Sequence, residues 1–150
     1  MQGKNNKIIY PLFIIPVFIL FLQSCAPTAS FSEPAYRQAV QLKVDALELM
    51  DKATDGYSNH KSEVDSFKHK LNFAYEYAKG RRNNEITVKQ WEIMINPDRN
   101  LIGGFLRIWK EDLLLSPVFV KEAKDVIEDA FDTIIGLESG KIKSSNINEE

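Results

Sequence analysis

The sequence predicts an all-α protein, most simply a four-helix-bundle-like domain that follows a cleaved N-terminal signal peptide. Apolar residues recur at spacings of three and four along several segments, which is the pattern of amphipathic helices. Helix-capping signals, such as a serine one or two residues before a proline, precede several of these segments. No segment shows sustained period-two alternation of apolar and polar residues. These observations favour helices packed on helices.

Residues 1–24 have the layout of a secretory signal peptide. Lys4 and Lys7 form a positive n-region, and a nearly unbroken apolar run from 8 to 22 follows. A transmembrane helix needs roughly 20 apolar residues, so this run is short for one. Pro11 and Pro16 also interrupt it and disfavour a permanent helical span.

The end of this run resembles the lipobox of bacterial lipoprotein precursors, in which a leucine stands three residues before an obligatory cysteine. Leu22, Gln23, Ser24 and Cys25 occupy these places, and Gln23 is bulkier and more polar than the usual residue. The resemblance implies that the Cys25 thiol receives diacylglycerol and that the peptide is cut before Cys25. It also implies that the new amino terminus is acylated, for example with palmitate. An uncleaved anchor and ordinary secretion with a free thiol are the alternatives.

The same resemblance indicates a location in the bacterial cell envelope. Ala26 stands where an acidic residue would signal inner-membrane retention in enteric-type bacteria, so the outer membrane is favoured, on either its periplasmic or its surface side. Two or more acyl chains anchor a protein stably where one does not. Cys25 is the only cysteine, so no internal disulfide or thiolate metal site is expected.

The mature chain is predicted to have three parts: the lipidated cysteine and a short tether (25–31), a helical bundle domain (32–140) and a disordered polar tail (141–150). The formal net charge of the full chain is −2, and loss of residues 1–24, with two lysines and no acid, lowers it by two to −4. A mildly acidic chain lacks the clustered cations of nucleic-acid-binding proteins. It is equally unsuited to broad adhesion to anionic lipid head groups.

The first two predicted helices are delimited by capping residues. Ser32 and Pro34 begin the first helix, and Gly56 marks its end. The sequence from Ser62 to Asp65 has the form of a capping box for the second helix, which Gly80 ends.

The third predicted helix is interrupted. It opens at a capping box that starts at Thr87, and it breaks near Pro97, because a residue before proline avoids helical geometry. The segment 101–115 is apolar over most of its circumference, which indicates burial. Gly103 and Gly104 weaken it by about 1 kcal/mol each relative to alanine. We expect this cost to be offset where another backbone approaches closely.

The last predicted helix begins at Ser116 and Pro117 and ends at Gly140. Its acidic residues from Glu122 to Asp132 form a ridge that would suit calcium or magnesium, which prefer oxygen ligands. A straight helix sets such carboxylates in a row, however, so a solvated face is the favoured interpretation. The ridge remains a candidate cation site.

Signals for metal or catalytic chemistry are weak. His60 and His69 are the only histidines, both expected at the surface, and zinc usually needs three or four protein ligands. Ser116 lacks the surroundings of a nucleophilic serine, and the two glycines lack the lysine of a phosphate loop. We therefore expect no metal, no cofactor and no enzymatic activity.

The candidate interaction surface is formed by Phe105, Arg107, Trp109 and Phe119 in the segment 100–119. Aromatic residues and arginine are enriched in binding hot spots. The favoured interpretation is nevertheless that these residues fill the core, because a helix that is apolar over most of its circumference is usually buried. Insertion into the membrane beside the anchor is a further alternative. Full burial of Trp109 would leave only the core interpretation.

The leading functional hypothesis is a lipid-anchored envelope lipoprotein whose helical domain binds another envelope protein of unknown identity. A helical carrier of a small apolar ligand is the second possibility, and it requires a cavity between helices. An envelope enzyme is the third, and it requires acidic residues with strongly shifted pKa values in a concave site.

Overall fold

The computed structural model describes residues 29–143 and residue 147. The predicted signal peptide, the lipobox and Cys25 lie outside these residues, as does most of the predicted tail, so the division into tether, domain and tail stays a prediction. Within the described residues the chain forms no strand, one short 3-10 helix (Lys52–Thr54) and five α-helices. The helices are α1 (Glu33–Asp51), α2 (Tyr57–Lys79), α3 (Glu85–Ile95), α4 (Ile102–Asp112) and α5 (Pro117–Glu138).

The helices pack as a bundle, which confirms the predicted fold class. Helix α1 packs against α2 and α5, α3 also packs against α2 and α5, and α4 packs against α3 and α2. The interior is apolar, and its largest fully buried side chains include Leu42, Met50, Met94, Trp109 and Phe131. Helices α3 and α4 are the two halves of the predicted broken helix. Within residues 29–143, no helix is both long enough and apolar enough to cross a bilayer.

The connection between α1 and α2 differs from the prediction. Helix α1 ends at Asp51, and Gly56 caps the start of α2 rather than the end of α1. The predicted capping box at Ser62 lies inside α2. The reason is tertiary: the N–H of Tyr57 donates to the carbonyl oxygen of Leu113 at 2.7 Å, and the Tyr57 ring packs edge-on against Trp109 at 5.5 Å. These contacts stabilise an additional turn of α2 before the predicted cap.

The predicted start of α3 is also displaced. The helix begins at Glu85, with Asn84 as its N-cap residue, and Thr87 is buried within the first turn. The Asn84 side chain does not cap α3 but donates to the carbonyl oxygen of Ala78 at 3.0 Å. It therefore joins the start of α3 to the end of α2, where Gly80 ends the helix as predicted.

The break near Pro97 is confirmed, since α3 ends at Ile95 and α4 starts at Ile102. A Cβ atom on Gly103 would lie 2.3 Å from the carbonyl oxygen of Ile95, and one on Gly104 would lie 1.9 Å from that of Arg99. The expected close approach of another backbone is therefore present. Any larger residue at these two positions would push the helices apart.

The predicted limits of the last helix are confirmed to within two residues. Ser116 is the N-cap of α5, its Oγ accepts a hydrogen bond from the N–H of Phe119 at 3.2 Å, and Pro117 occupies the first turn. Helix α5 ends at Glu138, and Gly140 follows with φ of 72°. Glycine suits this left-handed conformation because it has no Cβ.

Candidate interaction surface

Two of the four predicted interaction residues belong to the core. Trp109 is 0% exposed and Phe105 is 3% exposed. The indole N–H of Trp109 donates to the carbonyl oxygen of Asp55 at 3.0 Å, and its ring lies against Tyr57 and His60. The core interpretation that the sequence favoured therefore holds for Trp109 and Phe105, and neither residue forms an exposed binding surface. Trp109 is enclosed by the start of α2 and the α1–α2 connection, and Phe105 stacks on Phe119 of α5.

The other two predicted residues are exposed but differ in their surroundings. The Arg107 Nε donates to the carbonyl oxygen of Pro97 at 3.0 Å, and Nη1 donates to Glu111 at 2.7 Å. The Phe119 ring is 37% exposed and stacks on Phe105 with 6.1 Å between ring centroids. Arg107 is thus part of a polar network, and Phe119 is the exposed edge of an apolar cluster.

Phe119 belongs to an exposed apolar surface that the sequence analysis missed. We call this surface the distal patch. Its four residues are Leu113 (65% exposed), Leu114 (58% exposed), Val118 (67% exposed) and Phe119 (37% exposed). The prediction treated Leu113 as part of a buried helix. The signal that could have revealed the patch is the shortness of the α4–α5 connection, because three successive leucines there cannot all turn inward.

The backbone holds the distal patch in place. Leu113 has φ of 68°, in a region that is unfavourable for a side chain such as leucine. Its carbonyl oxygen accepts from Tyr57, and the N–H of Leu115, which is buried, donates to the carbonyl oxygen of Ala53 at 2.8 Å. Such a conformation persists only when its surroundings over-determine it. Here two hydrogen bonds and a buried leucine do so, and two leucine side chains remain exposed.

The opposite end of the bundle is closed by polar contacts. We call it the tether end, and its residues are Ser30, Ser32, Tyr77, Arg81 and Glu138. The Arg81 guanidinium pairs with the Glu138 carboxylate and donates to the carbonyl oxygen of Ser30. The hydroxyl groups of Ser32 and Tyr77 are 3.2 Å apart. The chain that leads into α1 is therefore held against the C-terminal ends of α2 and α5.

The ion pair at the tether end is almost completely buried. The side chain of Glu138 is 2% exposed and that of Arg81 is 14% exposed. Within the described part of the chain, Oε1 of Glu138 has no hydrogen-bond partner. A buried carboxylate that loses its cation is strongly unfavourable, so Arg81 is needed for the stability of this end.

The acidic ridge of α5 contributes to helix packing. Nζ of Lys43 on α1 lies 2.7 Å from Asp132 and 2.9 Å from Glu128. Burial alone would lower the pKa of Lys43, but hydrogen bonds to these two carboxylates raise it above its ordinary value. Among residues 29–143 and 147, no group of three or more side chains is arranged to hold a metal ion.

The two histidines lie in different environments. His69 is exposed, as expected, whereas the side chain of His60 is only 17% exposed. Its Nε2 lies 3.1 Å from Asp55 and its Nδ1 lies 3.3 Å from Glu63. Because both ring nitrogens face carboxylates, the imidazole bridges the start of α2 and offers no unoccupied nitrogen as a base.

Two carboxylates in a groove on the bundle surface have pKa values that are lowered, which is the wrong direction for a general acid. An open groove of about 320 Å³ between α1 and α2 contains the pairs Asp45–Lys70 and Glu63–Lys52. Burial raises the pKa of Asp45, but the Lys70 hydrogen bond brings it below the ordinary value. The pKa of Glu63 is lowered mainly by Lys52. A general acid needs the opposite direction.

The chain matches no protein-family model, no curated protein and no solved structure. The features of the described residues that suggest a role are the distal patch and the fixed tether end. They lie at the two ends of α5, whose 22 residues span about 33 Å at 1.5 Å per residue.

Proposed function

We propose that this protein is a lipid-anchored bacterial envelope lipoprotein whose non-enzymatic helical domain binds another envelope protein through the distal patch. The lipobox-like sequence ending at Cys25 supports the anchor, with the outer membrane as the favoured location. The four exposed apolar side chains of the distal patch, which lie close together in the sequence, support a protein contact, since exposed apolar patches mark interaction sites when they are large.

The observation that carries this proposal is the separation of the two ends. Cys25 precedes Ser30 by five residues, which reach roughly 17 Å when fully extended. Arg81 holds Ser30 against the bundle, so in this proposal the tether end faces the bilayer. The distal patch lies about 33 Å away along α5. In this proposal it therefore points away from the bilayer, where a second protein can bind.

The charges beside the distal patch favour a protein partner over a lipid surface. Within three positions on either side of the patch, the sequence has two positive residues, Lys110 and Lys121, and three negative residues, Glu111, Asp112 and Glu122. Segments that insert into the membrane interface are usually rich in lysine and arginine on their polar side. Anionic head groups would instead be repelled by these acidic residues.

Photo-crosslinking in cells tests the partner. A photoreactive amino acid at Val118 should capture a defined envelope protein, because this side chain is 67% exposed in the patch. Val126 is the matched control, since it is also a valine, lies on the same helix and is 54% exposed. Capture of the same protein from both positions, or of lipid from Val118, would count against the proposal.

Acyl labelling tests the anchor separately. Cells that express the wild-type protein should incorporate a labelled fatty acid into it, and Cys25→Ala should abolish this label. Equal labelling of both proteins would refute the lipobox assignment and leave the distal-patch contact to be judged by crosslinking alone.

A further inference from the structure

A second surface feature lies on the side of the bundle, between α2 and the α3–α4 break. It is an open groove of about 310 Å³, which we name the cationic groove. Three positively charged residues line it: Lys68 from α2, and Arg107 and Lys110 from α4. Ile95, which is half-buried, and Pro97, which is exposed, contribute apolar surface, and the buried Leu71 and Leu106 lie beneath it. No acidic residue is among its lining residues, although the chain as a whole is acidic.

The cations of this groove differ in how much of their charge is available. Arg107 is oriented by the carbonyl oxygen of Pro97 and is partly neutralised by Glu111. Within residues 29–143, neither Lys68 nor Lys110 pairs with a carboxylate. The groove therefore contains two ammonium groups without a carboxylate partner among the described residues, those of Lys68 and Lys110, and the Arg107 guanidinium, whose orientation is fixed by its hydrogen bonds.

The acidic residue on the neighbouring turn of α2 forms its ion pair with a different lysine. Asp65 forms its ion pair with Lys61. The pKa of Asp65 is lowered chiefly by that hydrogen bond, and the charges of Lys68 and Lys110 lower it further. Because this interaction is mutual, the Asp65 carboxylate offsets part of the charge of both lysines, although it forms its ion pair with Lys61.

The floor is built by the close helix packing at the break. Because Gly103 lets α4 approach the carbonyl oxygen of Ile95, the end of α3 and the first turns of α4 form one continuous wall. Asn72 on α2 faces the same recess and adds an uncharged amide to the cationic rim. The groove thus combines an apolar wall, a neutral polar group and three cations.

We propose that the cationic groove binds a small amphipathic anion, with a phosphate monoester head and a short apolar chain. A phosphate monoester carries a charge of about −1.5 to −2 at neutral pH and three acceptor oxygens, which matches two unpaired lysines and one oriented arginine. The apolar chain would lie on Ile95 and Pro97. The volume is at the lower end of about 300–1,000 Å³ for small-molecule sites, so the ligand is small. This inference is independent of the anchor and of the distal patch.

Photoaffinity labelling of the full chain, in a nonionic detergent, tests the inference. The probe is a short alkyl phosphate that carries a diazirine on its alkyl chain, and mass spectrometry locates the labelled residues. We expect the label on Asn72, Ile95 and Pro97, which line the groove and have accessible surface. The same alkyl chain ending in a hydroxyl or a carboxylate should label these residues less, because its head carries no charge or only one.

Two lysine variants and one control sharpen the test. Lys68→Gln and Lys110→Gln keep the length of the side chain and remove its charge, and each should reduce labelling by the phosphate probe about twofold to fivefold. Lys121→Gln removes an exposed lysine of α5 and should leave labelling unchanged. Circular dichroism of each variant checks that the helices are intact.

Three results would overturn the inference. The first is equal labelling of the groove by the phosphate and the alcohol, because it would show that charge is not recognised. The second is equal labelling by the phosphate and the carboxylate, which would contradict the phosphate head group. The third is labelling that does not depend on the groove, either because it is unchanged in both lysine variants or because it is concentrated on the distal patch.

Discussion

The tether end and the distal end of this bundle are held by different forces. At the tether end, directional polar contacts join Arg81 to Glu138 and to the backbone of Ser30. At the distal end, backbone hydrogen bonds and the buried Trp109 hold the α4–α5 connection against the start of α2. The polar end sets the direction in which the chain enters the bundle, and the apolar end holds a loop whose leucines remain exposed.

This difference shows that the stabilising contacts at the two ends have different roles. A buried ion pair adds little net stability, but it is costly to break, so it specifies one position of the entering chain. The packed indole stabilises strongly, and it offsets the unfavourable left-handed conformation of Leu113. A rigid entry and a rigid exposed patch are both required if the patch is to be presented in a fixed direction.

The largest expected effect comes from removing the centre of the distal end. Trp109→Ala should lower the free energy of unfolding by about 3–5 kcal/mol, because it empties a fully buried aromatic site. Urea denaturation measures this change. Hydrogen exchange should at the same time show faster opening at Tyr57 and Leu115 than at Arg81.

Trp109→Phe is the control, since it keeps a ring and loses the hydrogen bond to Asp55. A loss below about 1.5 kcal/mol for Trp109→Ala would contradict the assignment of the indole as the main support of this end.

The next effect tests the tether end. Arg81→Met should destabilise the protein by about 3 kcal/mol, because it leaves the Glu138 carboxylate buried without a cation. Proteolysis near Ser30 should become faster because the Arg81 contact to its carbonyl oxygen is lost. The double variant Arg81→Met with Glu138→Met should recover most of the stability but not the protection at Ser30. If the single and double variants were equally unstable, packing rather than charge would explain the loss.

A smaller effect is expected at the helix cap beside the distal patch. Ser116→Ala should cost about 1 kcal/mol, because the N–H of Phe119 loses its acceptor. Thermal unfolding of Ser116→Ala and Ser116→Asp checks this, since aspartate preserves the cap. The equivalent cap at the tether end, Ser32, has a longer contact of 3.4 Å to the N–H of Ala35, so Ser32→Ala should cost less. A larger loss for Ser32 would reverse the proposed ranking of the two caps.

The smallest expected effect is a pH dependence at the distal end. The N–H of Gly56, then Asn59 and His60, lowers the pKa of Asp55 below its ordinary value of 3.8. A lowered folded-state pKa gives stability that is present above the unfolded-state value and is lost as the pH falls through the folded-state value. Asp55→Asn should therefore lower Tm at neutral pH, and its difference from wild type should shrink as the pH falls below about 3.8. Asp112→Asn is the control at the same end, and a pH-independent difference for Asp55→Asn would exclude an ionic contribution.

Local sequence signals predicted much of the fold because the chemistry of those signals is local. Ser116 and Pro117 start α5, and Gly80 ends α2, because caps act within one turn. The break at Pro97 follows from steric conflict with its own neighbour. The start of α2 could not be predicted in this way, since Tyr57 depends on Leu113 and Trp109, which lie more than fifty positions away.

The candidate site was predictable only in part. Aromatic and arginine residues between 100 and 119 were recognised as candidates, but a helix that is apolar over most of its circumference does not reveal which face is covered. Phe119 remained exposed, and Phe105 and Trp109 did not. The exposure of Leu114 and Val118 depends on a loop held by backbone bonds to α2 and the 3-10 helix, and side-chain chemistry along the chain does not encode that geometry.

The sequence by itself determined that the described domain is helical, where most helices stop, and that Gly103 and Gly104 allow close backbone contact. These properties depend on periodicity, capping and the missing Cβ, which act over a few residues. Only the tertiary structure decided which apolar residues are covered, that Arg81 reaches Glu138 and Ser30, and that Lys68, Arg107 and Lys110 line one groove. Those outcomes depend on distances between residues far apart in the chain, which are set when the helices pack together.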